Sequence, residues 1–213
     1  MENIIEDLEG VIKYHLHHQP MPIPASVDIS ELNAWRHLLY RLSIIGQDDN
    51  RYQGLAYGNI SQRLADTNQF IISGTQTSGL PHLQRQNYAL ITVASPQQNT
   101  ISSIGLTAPS SEALTHAMVY QKQTSAQAVI HVHCPEIWQH TQRLQLLHTA
   151  ADVAYGTVEM ALAVADLLND QRIYQKPLFC MLGHQDGVVA FGATLSQAAN
   201  VLINQLAEAL ALE

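Results

Sequence analysis

The chemically most informative residues of this chain are a His-x-His pair, His131 and His133, at the end of an apolar run. Alanine and β-branched residues from 127 to 132 predict a buried strand, and strand side chains alternate between the two faces of a sheet. The two imidazoles therefore emerge on one face, about 7 Å apart along the backbone. Two imidazoles so placed can share one metal ion, although a histidine pair can also simply be packed in a core.

Two further side chains extend this pair to a candidate ligand set. Glu112 opens a predicted helix over 112–123, nineteen residues before His131. His184 lies in a turn between two predicted strands, 179–182 and 188–191. Three histidines and one carboxylate form a nitrogen and oxygen set suited to Zn²⁺, with Glu112 as a displaceable ligand or a base. Zinc is therefore the expected cofactor, and another divalent cation would also fit.

Three segments rich in glycine and hydroxyl groups predict a site for an anion. They are the loops 58–61 and 73–79 and the pair Ser110-Ser111, which precedes a predicted helix. Backbone N–H groups and hydroxyls in such loops can cradle a phosphate or carboxylate, and a helix N-terminus also favours negative charge. Each loop taken alone could be an ordinary turn. Together they suggest a small substrate with a negative group at one end and metal-binding oxygens at the other.

Composition excludes several classes of function. The chain has 213 residues, a net charge of -8 and only 13% charged residues, so we expect neither a nucleic-acid nor a membrane partner. No stretch approaches the roughly 18 apolar residues of a membrane span, and the acidic start lacks the basic region of a signal peptide. With only two cysteines, a cytoplasmic, reducing location is expected.

The chain is predicted to comprise an N-terminal arm, residues 1–29, and one domain, residues 30–213. The arm holds His15, His17 and His18, which we expect to have surface or packing roles because no carboxylate lies at ligand spacing. The domain is predicted to begin with a helix whose N-cap is Ser30. Short strands early and late, with helices between them, predict α/β or α+β layers with the sheet covered on both faces.

The order of these motifs resembles the class II aldolase and adducin head domain family, which includes fuculose-phosphate aldolase and ribulose-phosphate 4-epimerase. The resemblance spans roughly Leu32 to Glu208. Single loops are weak motifs, but Ser-Ser-Glu before His-x-His and a later histidine turn is a specific order. The segments that carry it are Gly58-Asn59-Ile60-Ser61, the 73–79 loop, Pro109-Ser110-Ser111-Glu112 with Thr115-His116, the 128–133 strand, Tyr155-Gly156-Thr157 and the 183–192 segment.

The resemblance implies a fold, a cofactor and roles for residues. The implied fold is a three-layer α/β/α sandwich around a mainly antiparallel central sheet, and such proteins are commonly zinc-dependent homotetramers with sites between subunits. By position, Glu112 would be the acid/base. The implied metal ligands are His131, His133 and His184, and the implied anion pocket is Asn59, Ser73, Gly74, Ser110 and Ser111.

The activity implied is that of an aldolase-type lyase in carbohydrate metabolism. Such an enzyme cleaves or forms a C–C bond in a small hydroxy-carbonyl compound, typically a sugar phosphate, through a metal-stabilised enediolate. An epimerase, a dehydratase or a decarboxylase could use the same chemistry. A non-catalytic adducin-like interaction module is the alternative of another class.

Two departures from the family pattern leave open questions. In the family the third histidine usually stands directly before a glycine, whereas Gln185 and Asp186 separate His184 from Gly187. A gapless alignment would make Asp186 the third ligand, but imidazole suits zinc better beside two other histidines, so we favour His184. The segment that supplies a tyrosine acid in sugar-phosphate aldolases is also short here, and the proton donor remains unassigned.

Overall fold

The central element of the protein is a large sheet flanked by helices, as seen in a computed structural model that describes residues 10–64 and 67–213. The strands of the described residues are β1 (His15–Gln19), β2 (Gly46–Gln47), β3 (Ala56–Tyr57), β4 (Asn59–Arg63), β5 (Phe70–Ser73), β6 (Tyr88–Ser95), β7 (Thr100–Gly105), β8 (Ala128–His133), β9 (Leu147–Thr149), β10 (Leu178–Met181) and β11 (Gly187–Gly192). The α-helices are α1 (Ser30–Arg41), α2 (Ala113–Lys122), α3 (Pro135–Gln139), α4 (Val158–Leu167) and α5 (Leu195–Leu210).

Nine of these strands form one sheet in the order β1-β7-β6-β5-β4-β8-β11-β10-β9, and β2 pairs with β3 separately. The two outermost pairs, β1 with β7 and β10 with β9, are parallel. All the inner pairs are antiparallel. The expectation of a mainly antiparallel central sheet is therefore confirmed.

The sheet separates two apolar layers. Side chains of β8 alternate between them: Ile130 and Val132 belong to one buried cluster and Val129 to the other. Helices α1, α3 and α5 contribute to the first cluster, and α2 and α4 to the second. This arrangement confirms the predicted three-layer α/β/α sandwich, with both faces of the central strands buried.

The N-terminal part of the described chain joins the sheet, since β1 pairs along its length with β7. Tyr14 and Ile23, on either side of β1, are buried in the two apolar clusters. Residues 1–9 of the predicted arm lie outside the described residues. The division of the chain into an arm and a domain stays a prediction.

One predicted helix cap is wrong. The N-cap of α1 is Ile29, not Ser30, because the Ser30 hydroxyl donates to the Asp28 carboxylate at 2.7 Å instead of capping the helix. Threonines cap two later helices: the side chain of Thr157 accepts from the backbone at the start of α4, and that of Thr194 does so at α5. Among the helices that the structure describes, none has the length and apolar character of a bilayer-spanning segment.

Candidate metal centre

Strand β8 presents His131 and His133 on the face that carries Val129, towards the α2 and α4 layer. In the antiparallel register Asn59 of β4 lies opposite His131, and Gly187 of β11 lies opposite His133. Opposite residues share a face, so Asn59 stands beside the first histidine. The period-2 alternation predicted from the sequence is what places both imidazoles together.

A tight turn after β10 brings His184 to the same place. The His184 amide donates to the carbonyl of Met181, and the Gly187 amide donates to the carbonyl of His184, which reverses the chain into β11. Position 183 of this turn requires glycine, because a Cβ there would lie only 2.0 Å from the carbonyl oxygen of Val153 and would clash with it. The His184 ring centroid is 5.0 Å from that of His131 and 4.7 Å from that of His133.

The three histidines have the chemistry of a metal site. Each offers a ring nitrogen, and these nitrogens lie within 4.8 Å of one another. Burial lowers the pKa of His131 and His133 well below the ordinary value, so both imidazoles are neutral, the form that binds metals. The triad can therefore hold a divalent metal ion, and the structure groups His184 rather than Asp186 with the pair.

Asp186 has different partners. Its carboxylate accepts a hydrogen bond from the Tyr52 hydroxyl at 2.7 Å and lies 3.9 Å from the guanidinium of Arg51. The Tyr52 ring stands edge-on to His133, with 4.5 Å between centroids. Asp186 therefore fixes an aromatic wall beside the histidines. The sequence analysis missed Tyr52, which stands shortly before the 58–61 loop but belongs to no motif.

Glu112 lies at the start of α2 and is 1% exposed. One of its carboxylate oxygens is 3.7 Å from Nδ1 of His184. The N-terminus of α2 stabilises the negative charge of this carboxylate. Burial, together with the Glu112 charge, raises the pKa of the nearby Tyr14 hydroxyl. Tyr14 donates to the carbonyl of Ser110 at 2.9 Å. The carboxylate is thus brought to the histidines, as the sequence predicted.

The hydroxyl-rich segments also meet at this point. The Ser110 amide donates to the carbonyl of Ser73, and Gly74 forms an isolated bridge with Pro109. Asn59, Gly74, Ser110 and Ser111 line one narrow cleft, while the hydroxyl of Ser73 accepts from the backbone of Ile60 at 3.2 Å. We call this set the hydroxyl side of the centre.

The hydroxyl side has little free space. Its cleft measures about 10 Å³, room for about one water, because Gly10 and the Gln76 side chain also line it. The Gln76 side chain accepts a hydrogen bond from the backbone amide of Ala56 at 3.1 Å. The Gly74 amide is already bonded to the carbonyl of Asn87. A phosphate would therefore have to displace Gln76.

An open cleft of about 460 Å³ lies on the other side of His184. The Tyr155 ring at its edge stacks on His184, with 4.4 Å between centroids, and the Lys13 ammonium lies 4.0 Å from the Tyr155 centroid. We call this the aromatic cleft. Its lining among the described residues is Tyr52, Gln53, Trp138, Ala151, Tyr155, Leu182, Gly183, His184 and Gln185.

A fourth buried histidine, His116, lies one helical turn after Glu112 on α2. Its Nδ1 is 2.7 Å from the hydroxyl of Ser61, which is also hydrogen-bonded to the Tyr120 hydroxyl. Burial lowers the pKa of His116 to about 3, so its imidazole is neutral. The i, i+4 spacing from Glu112 is the sequence signal that could have linked His116 to the site.

Comparison with known proteins agrees with this architecture. No curated protein sequence matches the chain. Among solved structures, the sugar-phosphate aldolase from Thermotoga maritima is 17% identical with a TM-score of 0.65, covering 86% of this chain and 92% of the other. The L-fuculose-1-phosphate aldolase from Thermus thermophilus is 19% identical with a TM-score of 0.60, covering 84% and 89%.

A third solved structure, YgbL from Klebsiella pneumoniae, is 20% identical with a TM-score of 0.60 and covers 84% of each chain. For that protein aldolase, epimerase and decarboxylase are named as alternatives. At these identities the structural likeness shows the fold. The sequence profile described as the Class II Aldolase and Adducin N-terminal domain matches residues 47–210, which include the three histidines and Glu112. The chain therefore belongs to the class II aldolase and adducin N-terminal domain family.

Proposed function

We propose that this protein is a zinc-dependent aldolase-type lyase that cleaves or forms a C–C bond in a small hydroxy-carbonyl compound, with a sugar phosphate as the first candidate. The observation that supports this most is the meeting of three buried histidines with the Glu112 carboxylate, 3.7 Å from one of them. Four buried polar side chains at one point carry a free-energy cost that a purely structural domain has no reason to bear.

In this proposal His131, His133 and His184 hold the metal. Three imidazole ligands suit Zn²⁺ and leave a position for substrate, as catalytic zinc sites require. Lewis-acid polarisation of a carbonyl is the chemistry that a bound zinc ion supplies. The β8 strand and the β10–β11 turn hold the imidazoles in place, and burial keeps those of β8 neutral and ready to bind.

Glu112 is proposed as the acid/base. It lies at the N-terminus of α2, beside the histidines, and directly follows Ser110 and Ser111, which line the cleft of the hydroxyl side. A carboxylate at this point can remove or return a proton on the carbon next to the substrate carbonyl. Its burial excludes water from that transfer.

The hydroxyl side is proposed to hold the anionic end of the substrate, a phosphate or a carboxylate. The N-terminus of α2 favours negative charge, and the Oδ1 atom of Asn59 has no hydrogen-bond partner among the described residues. Gln76 must move for a phosphate to enter. The proposed contacts are Asn59, Ser73, Gly74, Ser110 and Ser111.

An epimerase, dehydratase or decarboxylase is a second candidate, favoured by the similarity to YgbL, for which several of these reactions are named. We also propose a homotetramer, as in relatives of the family, and an N-terminal arm over residues 1–29. A non-catalytic interaction module is disfavoured, because it has no need of Glu112 beside three histidines.

The experiment is an activity panel on zinc-loaded protein. Ketose phosphates and hydroxy acids are incubated with the protein, and aldehyde or keto products are followed by NMR. We expect one class to be consumed only when zinc is present, and Glu112→Gln to abolish most of that turnover. Protein that takes up no divalent metal on titration, or that binds zinc yet converts no member of the panel, contradicts the proposal.

A further inference from the structure

Of the two clefts next to the histidines, the aromatic cleft is much the larger. The cleft on the hydroxyl side measures about 10 Å³, whereas the aromatic cleft measures about 460 Å³. Both begin at the same cluster, because Asn59 lies opposite His131 on one side and His184 lines the cleft on the other. A substrate larger than its metal-binding oxygens therefore has one direction in which it can extend without displacing a side chain.

The wall of the aromatic cleft carries no formal charge apart from any on His184. None of its described lining residues is Lys, Arg, Asp or Glu. The cations beside the aromatic rings of the cleft are engaged: the Arg51 guanidinium donates to the Tyr52 hydroxyl and faces the Asp186 carboxylate. The Lys13 ammonium donates to the carbonyl of Tyr155 and lies on the Tyr155 ring. A phosphate or carboxylate in this cleft would find no cation among these lining side chains, and its desolvation would not be offset.

The aromatic surfaces of the cleft are held in place. Tyr52 and Gln53 have φ angles of 49° and 58°, a left-handed conformation that is strained for residues other than glycine. The hydrogen bond from Tyr52 to Asp186 and the edge contact with His133 hold this segment. On the opposite wall the indole N–H of Trp138 donates to the carbonyl of Met181 at 3.0 Å. Backbone strain next to a rigid aromatic wall is typical of a binding site.

We propose that the substrate extends from the histidine cluster into the aromatic cleft with an uncharged end that is aromatic or alkyl. This inference rests on the proposed function, because the oxygens at the other end must bind at the histidines. It narrows the substrate class: the part that enters the aromatic cleft, on the side of the histidines away from the anionic end, is neither phosphorylated nor carboxylated. Tyr52 is the specificity-determining residue, since it forms the wall between the cluster and the cleft.

The test compares three small hydroxamates, which bind zinc through two adjacent oxygens as a hydroxy-carbonyl group does. Acetohydroxamate has a methyl tail, benzohydroxamate a phenyl tail and succinic monohydroxamate a carboxylate tail. Their affinities for the zinc-loaded protein are measured by titration calorimetry. We expect benzohydroxamate to bind about 10-fold more tightly than acetohydroxamate, because a stacked ring is worth roughly that factor, and succinic monohydroxamate to bind no better than acetohydroxamate.

Variants locate the effect. Tyr52→Ala should remove the preference for the phenyl tail, whereas Tyr52→Phe, which keeps the ring, should retain it. Tyr174→Ala is the matched control, because Tyr174 is a tyrosine 72% exposed and does not line the cleft. Gln185→Lys adds a cation to the exposed rim of the cleft and should improve the binding of succinic monohydroxamate. Zinc content, measured for each variant, shows that the cluster itself is intact.

The outcomes separate this inference from the proposed function. If acetohydroxamate binds only with zinc but the phenyl tail gains nothing, the inference is wrong and the metal site stands. If the phenyl preference persists in Tyr52→Ala with full zinc content, the tail lies elsewhere and the inference is again wrong. If no hydroxamate binds zinc-loaded protein, both proposals fail. A second copy of the chain that closes the cleft would also remove the phenyl preference, and that outcome too would overturn the inference.

Discussion

The two sides of the histidine cluster differ in construction. On the hydroxyl side, small residues on loops and at a helix start are tied to one another by backbone hydrogen bonds, and Gln76 takes up the remaining space. On the other side, large aromatic residues from distant segments leave an open cleft. The glycine- and hydroxyl-rich motifs lie on the first side, and the larger space lies on the second. Motif richness and accessible space are therefore separate properties of this site.

The difference has a physical basis. Backbone N–H groups and hydroxyls must be satisfied when buried, so loops that could bind an anion also bond readily to each other and to Gln76. Aromatic rings have no such need and can line an open space with their edges or faces. The hydroxyl side is therefore closely packed, and the aromatic cleft is open.

The largest expected effect comes from removing one histidine of the cluster that both sides share. His131→Ala should abolish stoichiometric zinc binding while the sheet stays folded, since three protein ligands are the working minimum of a catalytic zinc site. Metal content after dialysis is measured by atomic spectroscopy, and circular dichroism reports the fold. His82→Ala, at an exposed histidine, is the control. Full zinc content in His131→Ala would exclude His131 as a ligand.

The second prediction concerns Glu112, which lies next to the hydroxyl side. Glu112→Gln should keep zinc and lower turnover by about 10²–10⁴, because the amide preserves the shape of the side chain but cannot accept the proton. Initial rates are measured on whichever substrate the wild type accepts. Glu159→Gln is the matched control, at an exposed glutamate in the first turn of α4. An unchanged rate would remove Glu112 from the mechanism.

The third prediction concerns pH and the buried imidazole behind Glu112. Because burial lowers the pKa of His116 to about 3, the unfolded chain binds one more proton than the folded chain between that value and about 6.5. Protonation of His116 in the unfolded chain therefore lowers the free energy of unfolding by about 1.4 kcal/mol per pH unit as pH decreases from about 6.5 towards 3, and above about pH 6.5 this loss is absent. Urea unfolding of metal-free protein at several pH values measures this slope.

His116→Asn should reduce that slope by about 1.4 kcal/mol per pH unit, the contribution of one proton, and His17→Asn, at an exposed position, should leave it unchanged. Equal slopes for His116→Asn and wild type would show that His116 is not the group that takes up the proton.

The fourth prediction concerns the aromatic wall. Tyr52→Phe should lower the free energy of unfolding by about 1–3 kcal/mol, because a hydrogen bond to the Asp186 carboxylate is lost while the ring remains. For a chain of this size each kcal/mol corresponds to about 2–4 °C in Tm. Calorimetry of metal-free protein measures the change, with Tyr174→Phe as the control. A Tm equal to that of the wild type would mean that Asp186 does not hold the ring.

The smallest effect is expected where the hydroxyl side is opened. Gln76→Gly removes the side chain that fills the cleft, at a residue with a φ of 56° where glycine is unstrained. Inorganic phosphate should then bind about 2- to 5-fold more tightly, the contribution expected of a helix N-terminus. Gln145→Gly is the control, an exposed glutamine with a φ of 53°. Equal phosphate affinities in wild type and Gln76→Gly would contradict an anion site here.

Much of the cluster was predictable because it depends on local periodicity. The alternation in 128–133 puts His131 and His133 on one face wherever that strand lies in the sheet, and Glu112 follows from a helix start. The pattern of strands and helices predicted α/β or α+β layers, and the family resemblance implied the three-layer fold. The cap of α1 was predicted wrongly, because the Ser30 hydroxyl has a competing partner in Asp28 that propensity alone does not weigh.

Local sequence patterns and their order were enough to predict the strand that carries the histidine pair, the carboxylate at the start of α2 and the family. The tertiary structure was needed to show that His184, and not Asp186, joins the pair, because the turn between β10 and β11 sets which side chain faces the cluster. It alone showed the filled hydroxyl side and the aromatic cleft. Tyr52, Trp138 and Tyr155 lie on three segments far apart in sequence, and their meeting depends on long-range packing that leaves no local pattern.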